Sequence, residues 1–186
     1  MSADDKTPGF APDDPTDGRD LGAWETRYPA PEARKKIGRE AIFLAILGFL
    51  WFLLTISLFV GGLADVLRIP SELDDSFIRF GAGTLGGLLG GTLMSIKWLY
   101  HTVARKLWNE DRWLWRLFTP FLSAGLSFGV LLLISSDLLS IFRGSTLEAP
   151  RTCMAIGFLV GLFSDSAIAK LKEVADTLFG TTKRNQ

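Results

Sequence analysis

The chain has little of the chemistry on which most enzymes and metal sites depend. It contains one cysteine and one histidine among 186 residues, which excludes an intrachain disulfide and a metal site built from several cysteines or histidines. Its 20 basic and 20 acidic residues give a formal net charge of zero, so nucleic acid is not expected as a partner. A glycine-rich phosphate loop ending in Gly-Lys-Ser or Gly-Lys-Thr is also missing from the sequence. We therefore expect no catalytic residues, no cofactor and no metal, and a protein that is not an enzyme.

Apolar residues, in contrast, make up 48% of the chain and are gathered in long runs. Four runs lie at about 41–64, 77–99, 117–136 and 152–171. The first three contain the roughly twenty residues that a helix needs to cross the hydrocarbon core of a bilayer, and the fourth reaches that length only by including Asp165. Unpaired backbone groups are costly in lipid, so even the glycine-rich second run is predicted to be helical. The sequence predicts an all-α protein whose residues 41–171 form a four-helix transmembrane bundle.

Lysine and arginine are unevenly distributed among the segments that flank these runs. They are frequent before the first run, between the second and third, and after the fourth, and they are sparse in the other two connections. Basic loops stay in the cytoplasm. We therefore expect a multi-pass protein of the bacterial inner membrane with both termini in the cytoplasm.

The segments outside the spans differ in composition. Residues 1–20 are acidic and rich in proline, which predicts a disordered cytoplasmic tail, and 21–40 form a basic juxtamembrane segment. Between the second and third spans, the tryptophan-rich stretch 104–118 has an apolar helical face and is predicted to be an interfacial helix. After the fourth span, residues 172–186 are predicted to be the end of an amphipathic helix and a tail.

One face of the second span consists almost entirely of glycine. The residues on this glycine face are Gly83, Gly86, Gly87, Gly90 and Gly91. Small residues at this spacing let helices approach closely in a membrane. Two interpretations stay open: packing against another small face within the chain, and a self-association or pore-lining face.

Asp165 is the one acidic residue that this topology places well inside a span. A carboxylate at that depth is a candidate functional site, because it is costly unless paired or hydrated. Lys97 and Arg105 are its predicted partners at similar depth. Three roles are considered: a structural ion pair, an ion or proton site, and a helix break or cap at Ser164-Asp165-Ser166.

The segment GFLVGLFSDSAIAKLKEVADTLFG, which runs from Gly157 to Gly180, resembles C-terminal segments of small multi-span bacterial membrane proteins. It covers about an eighth of the chain. The resemblance implies that Ser164-Asp165-Ser166 and the helix after it form one unit. It implies no activity and no site residue.

These features favour a non-enzymatic integral membrane protein that self-associates. We expect it to act through its cytoplasmic face as a membrane anchor, an effector or a signalling component. The expected partners are the lipid bilayer, a second copy of the chain and a cytoplasmic protein. The alternative is a small oligomeric ion channel or transporter with Asp165 at an ion or proton site. A membrane-embedded enzyme acting on lipid is the least favoured hypothesis.

Overall fold

The computed structural model describes residues 26, 28–60, 75–136, 138, 147–178 and 180, and its regular elements there are all helices. They are α1 (Pro31–Val60), α2 (Asp75–Ala104), a 3-10 helix (Glu110–Arg112), α3 (Trp113–Ser135), α4 (Pro150–Leu162) and α5 (Ser164–Leu178). The all-α prediction is confirmed for this part of the chain. The predicted tail at 1–20 and the last residues, 181–186, lie outside it.

Helix α1 begins well before the apolar run that predicted it. Pro31 is its first residue, a position where the missing N–H is tolerated. Its 30 residues correspond to a length of about 45 Å, more than the hydrocarbon core requires. The first turns of α1, which carry Lys36, Arg39 and Glu40, therefore extend beyond its apolar part.

The glycine-rich helix α2 lies at the centre of the molecule. It contacts α1, α3 and α4, and its buried residues include all five members of the glycine face. Without side chains on this face, neighbouring helices can approach its backbone closely. The sequence pattern that weakens α2 as an isolated helix is therefore what allows it to occupy the centre.

Two helical segments are long and apolar enough to cross a membrane, namely Pro31–Val60 and Glu110–Ser135. A third candidate exists if α4 and α5 together form one broken span. Helix α2 is not among the candidates, because its glycines lower its mean hydropathy. Two or three candidate spans are thus present among the described residues, fewer than the four predicted.

The connection between α2 and α3 differs from the interfacial helix predicted at 104–118. Helix α2 ends at Ala104, and Lys106 adopts a left-handed conformation with φ of 59°. The Asn109 side chain then accepts a hydrogen bond from the backbone N–H of Asp111 at 3.0 Å, which caps the 3-10 helix. Helix α3 follows from Trp113, four residues before the predicted start at Leu117. The prediction of one continuous helix over 104–118 was therefore wrong. Apolar spacing does not indicate the left-handed residue and the capped 3-10 helix that interrupt it.

The fourth apolar run also differs from the single span predicted over 152–171. Phe163 ends α4 with φ of −115° and ψ of 38°, and the axes of α4 and α5 meet at 98°. The 13 residues of α4 are about 20 Å long, which is short of the roughly 30 Å of hydrocarbon. Asp165 therefore lies in the first turn of a new helix and not inside a continuous span.

Helix α5 is amphipathic and packs its apolar side on the bundle. Leu171 and Val174 are partly buried against a cluster that contains Leu131 and Cys153. The charged side chains on the opposite side are exposed: Lys170, Lys172, Glu173 and Asp176. This division between an apolar and a charged side is the pattern of a helix at a polar boundary.

Candidate functional site

A buried ion pair lies at one end of the bundle, which we call the charged end and define as residues 28–43 and 95–116. Glu40 on α1 and Arg116 on α3 are only 3% and 2% exposed. The Nε group of Arg116 donates to Oε1 of Glu40, and its second guanidinium nitrogen donates to Oε2 at 3.0 Å. This two-point geometry is the strongest form of a carboxylate–guanidinium contact. The pair joins two helices that are far apart along the chain.

The connection after α2 completes the coordination of this pair. The indole Nε1 of Trp108 donates to Oε2 of Glu40 at 3.0 Å, and the carbonyl of Asn109 accepts from Arg116 at 3.4 Å. A buried ion pair is tolerated when further hydrogen bonds satisfy its remaining groups. The charges thus hold the 105–109 connection against α1 as well as joining the helices.

A proline and a serine fix the backbone from which Arg116 extends. Pro120 lies inside α3 and has no N–H to donate to the carbonyl four residues earlier, which is that of Arg116. The hydroxyl of Ser95 on α2 donates to this carbonyl at 3.1 Å instead. Ser95 is fully buried, so the contact ties α2 to α3 directly beneath the ion pair.

Tyr28 attaches the segment before α1 to the same end. Its hydroxyl donates to the carbonyl of Thr102 at 3.4 Å and accepts from the backbone N–H of Trp108 at 3.1 Å. Its ring meets the indole of Trp108 edge to face, with centroids 6.2 Å apart. Near the surface, Lys36 contacts both carboxylate oxygens of Glu110 at 2.6 and 2.7 Å. The segment before α1, α1 itself, α2, the connection after α2 and α3 are therefore all joined at the charged end.

The structure does not bring the three predicted polar residues together. Asp165, Lys97 and Arg105 are all exposed, and no hydrogen bond or salt bridge joins them among the described residues. Asp165 instead borders a cavity of about 420 Å³ with Arg112, Arg116 and the edge-to-face pair Trp98–Trp115. The predicted contact with Lys97 assumed a straight fourth helix, and the bend after α4 removes that basis.

The glycine face is filled by other parts of the same chain. A Cβ atom added to Gly86 would lie 2.9 Å from the backbone nitrogen of Phe158, and one on Gly90 would lie 2.8 Å from that of Leu162. On the other side of α2, a Cβ on Gly91 would lie 2.9 Å from the Cα atom of Pro120. Real Cβ atoms essentially never come this close to backbone. Helices α3 and α4 thus occupy the face for which self-association or pore lining is the alternative interpretation.

Two buried serines reinforce this packing. Ser127 donates to the carbonyl of Gly157 at 3.0 Å, and Ser123 donates to that of Gly161 at 3.4 Å. Such interhelical hydrogen bonds are a common stabilising device in membranes. Both hydroxyl groups are thus engaged with backbone carbonyls of α4.

Sequence reasoning missed Glu40, Arg116 and Trp108 as a site. Glu40 and Arg116 stand at the boundaries of apolar runs, where charged residues ordinarily mark the end of a span. The one available signal was Pro120, which frees the carbonyl of Arg116 and so requires a donor from another segment. The identity of that donor could not be obtained from local sequence.

The fold and this site define an all-α protein with two or three helices that could cross a membrane and a charged, hydrogen-bonded end. Within the described residues, no group of three or more His, Cys, Asp or Glu side chains could hold a metal ion. Comparison with known proteins gives no match to a family model, a curated protein or a solved structure. Functional inference therefore depends on the site itself.

Proposed function

We propose that this chain is a non-enzymatic integral membrane protein of the bacterial inner membrane that works through its charged end on the cytoplasmic side. Its role is that of a membrane anchor, an effector or a signalling component. The partner is a cytoplasmic protein that recognises the surface formed by the start of α1 and the connection between α2 and α3.

The observation that carries this proposal is the buried Glu40–Arg116 pair with its Trp108 hydrogen bond. These contacts hold the polar connection between α2 and α3 in one conformation. A segment that only links two membrane helices does not need a fixed conformation. A preorganised surface loses little conformational entropy on binding. The cost of burying two charges is consistent with a surface that has to keep a defined shape.

The distribution of basic residues supports the cytoplasmic orientation of this end. The charged end contains most of the lysine and arginine side chains that lie next to apolar helix segments, and such residues favour the cytoplasmic side. The central position of α2 supports its inclusion as a membrane helix despite its modest hydropathy, because α1, α3 and α4 cover much of its surface. We therefore retain four membrane-embedded helices as part of the proposal.

The channel alternative receives no such support. A path through the bundle would have to pass along α2, where Ser123, Ser127 and the backbone of α4 fill the space beside the glycines. Self-association, if it occurs, would use a surface other than the glycine face.

The proposed orientation can be tested by cysteine labelling in intact cells. Thr26→Cys and Ser136→Cys, each in a Cys153→Ser background, place a thiol at exposed positions at opposite ends of the bundle. A membrane-impermeant maleimide should label Ser136→Cys in intact cells, and Thr26→Cys only after permeabilisation. The reverse labelling pattern would contradict the cytoplasmic placement of the charged end.

A second experiment separates the proposal from the channel. Purified full-length protein in liposomes is assayed for cation and proton flux, with a pore-forming peptide as positive control. We expect flux no greater than that of protein-free liposomes at any applied potential. Flux that depends on the protein would favour the channel instead.

A further inference from the structure

A cavity of about 410 Å³ opens at the charged end between the early turns of α1 and the connection that precedes α3. The buried Glu40 borders it from within, and the other lining side chains are Lys36, Arg39, Phe43, Trp108, Glu110 and Trp113. Cationic groups and aromatic rings therefore face the same space. Ligands that contact both must be amphipathic.

The charges around this cavity do not cancel. Glu40 is neutralised by Arg116, and Glu110 is neutralised by Lys36. Arg39 is exposed and forms no ion pair with any of the described residues. Among the described side chains one positive charge is left over, and a guanidinium group is suited to bidentate contact with a phosphate. The cavity is thus complementary to a singly charged anion.

The position of the aromatic rings indicates which kind of anion fits. Phe43 and Trp113 are 42% and 43% exposed, and they lie next to the boundaries between charged residues and the apolar parts of α1 and α3. Tryptophan is favoured at the level of lipid headgroups. A free phosphate would contact Arg39 and leave these rings uncovered, whereas a phospholipid would contact both.

We propose that this cavity binds the headgroup of an anionic phospholipid. The phosphate accepts hydrogen bonds from Arg39, while Lys36 stays paired with Glu110 at the rim. The glycerol and the first acyl carbons pack on Phe43 and Trp113. The inference rests on the membrane location included in the proposed function, but it does not depend on which way the protein is oriented.

The test uses the full-length protein in non-ionic detergent, titrated with brominated phosphatidylglycerol or brominated phosphatidylcholine. Bromine quenches tryptophan fluorescence at short range, and Trp108 and Trp113 line the site. Half-maximal quenching should require several-fold less phosphatidylglycerol than phosphatidylcholine. Equal concentrations for the two lipids would overturn the proposal.

A matched pair of variants tests the role of Arg39. Arg39→Gln and Arg34→Gln remove the same charge from exposed positions on the same helix, but only Arg39 lines the cavity. Arg39→Gln should weaken the apparent phosphatidylglycerol affinity on the order of tenfold, the equivalent of losing one charge-assisted contact, and Arg34→Gln by less than twofold. Equal losses would indicate general electrostatic attraction and overturn the site. Melting temperatures without lipid control for folding.

A soluble competitor distinguishes the lipid from a free anion. Inorganic phosphate and glycerol phosphate, added at millimolar concentration, should not displace brominated phosphatidylglycerol at constant ionic strength. Displacement by either would overturn the assignment to a lipid. Because these measurements are made in detergent, their failure is separable from a failure of the labelling experiment in cells, which reports orientation alone.

Discussion

In the middle of the bundle the helices meet backbone to backbone, whereas at the charged end they are joined by side chains. Gly157 lies against the backbone of Gly83, and Gly161 against that of Gly87 and Gly91, with no side chain between them. At the charged end, the carboxylate of Glu40, the guanidinium of Arg116 and the indole of Trp108 join α1, α3 and the connection between α2 and α3.

The two regions therefore differ in the substitutions that they tolerate and in the groups that they offer for binding. Close packing of glycines depends on shape, and any added volume must displace backbone. Hydrogen-bonded charges depend on having every partner present, because a buried charge without its partner is costly. Only the second region presents groups that a phosphate or a protein could recognise, so function is more readily assigned to it.

The largest loss of stability is expected when one member of the Glu40–Arg116 ion pair is replaced. Arg116→Met leaves the buried carboxylate of Glu40 without its main partner, and loss of one member of a buried pair costs about 3–5 kcal/mol. Thermal unfolding in detergent micelles should show a correspondingly large fall in melting temperature.

The double variant Glu40→Leu/Arg116→Met serves as the control. Replacing both charges by apolar groups removes the uncompensated carboxylate and should recover much of the lost stability. Recovery should be incomplete, since the indole of Trp108 loses its acceptor. If the double variant unfolds at as low a temperature as Arg116→Met, the charges are not the reason for the loss.

Two glycine-to-alanine substitutions should change stability by smaller amounts and in opposite directions. A Cβ added to Gly157 would lie 3.0 Å from the Cα atom of Gly83 and closer still to its carbonyl, so Gly157→Ala should destabilise by about 1–3 kcal/mol. Gly125 on α3 has nothing within 4 Å of an added Cβ. There Gly125→Ala should stabilise by up to about 1 kcal/mol through helix propensity.

These two variants make the same chemical change in helices of the same bundle. Melting temperatures that shift in opposite directions would show that contact, and not propensity, decides the outcome at Gly157. Equal shifts would mean that α2 and α4 are not in backbone contact.

The features of the fold that could be predicted are those encoded within a short stretch of sequence. The uncharged run from Ala41 predicts a helix by composition alone, and the glycine spacing of α2 predicts close packing. Which residues of α3 and α4 pack there could not be predicted, because both helices carry several small residues. Gly125 and Gly129 have the same spacing as Gly157 and Gly161, yet the structure leaves the first two without close neighbours, whereas the second two are in contact.

The parts that escaped prediction depend on contacts between distant residues or on a local bend. Glu40 and Arg116 are separated by 76 residues, and nothing near either of them indicates the other. A helix break at Ser164-Asp165-Ser166 is one of the three roles considered from the sequence, but the 98° angle between α4 and α5 is not encoded in the apolar pattern around Phe163. That bend is also why the predicted contact between Asp165 and Lys97 is not formed.

The smallest effect on stability is expected at Asp165, where the same carboxylate-to-amide change as at Glu40 can be made at an exposed position. Glu40→Gln and Asp165→Asn each convert a carboxylate to an amide, but Glu40 is buried in an ion pair and Asp165 is exposed without one among the described residues. Asp165→Asn should change the free energy of unfolding by no more than about 0.5 kcal/mol, as is usual for exposed positions. Glu40→Gln should cost several times more, since it leaves Arg116 as an uncompensated buried cation. Comparable losses for the two variants, measured by thermal unfolding in the same detergent, would show that Asp165 has a buried partner and would make it a candidate site again.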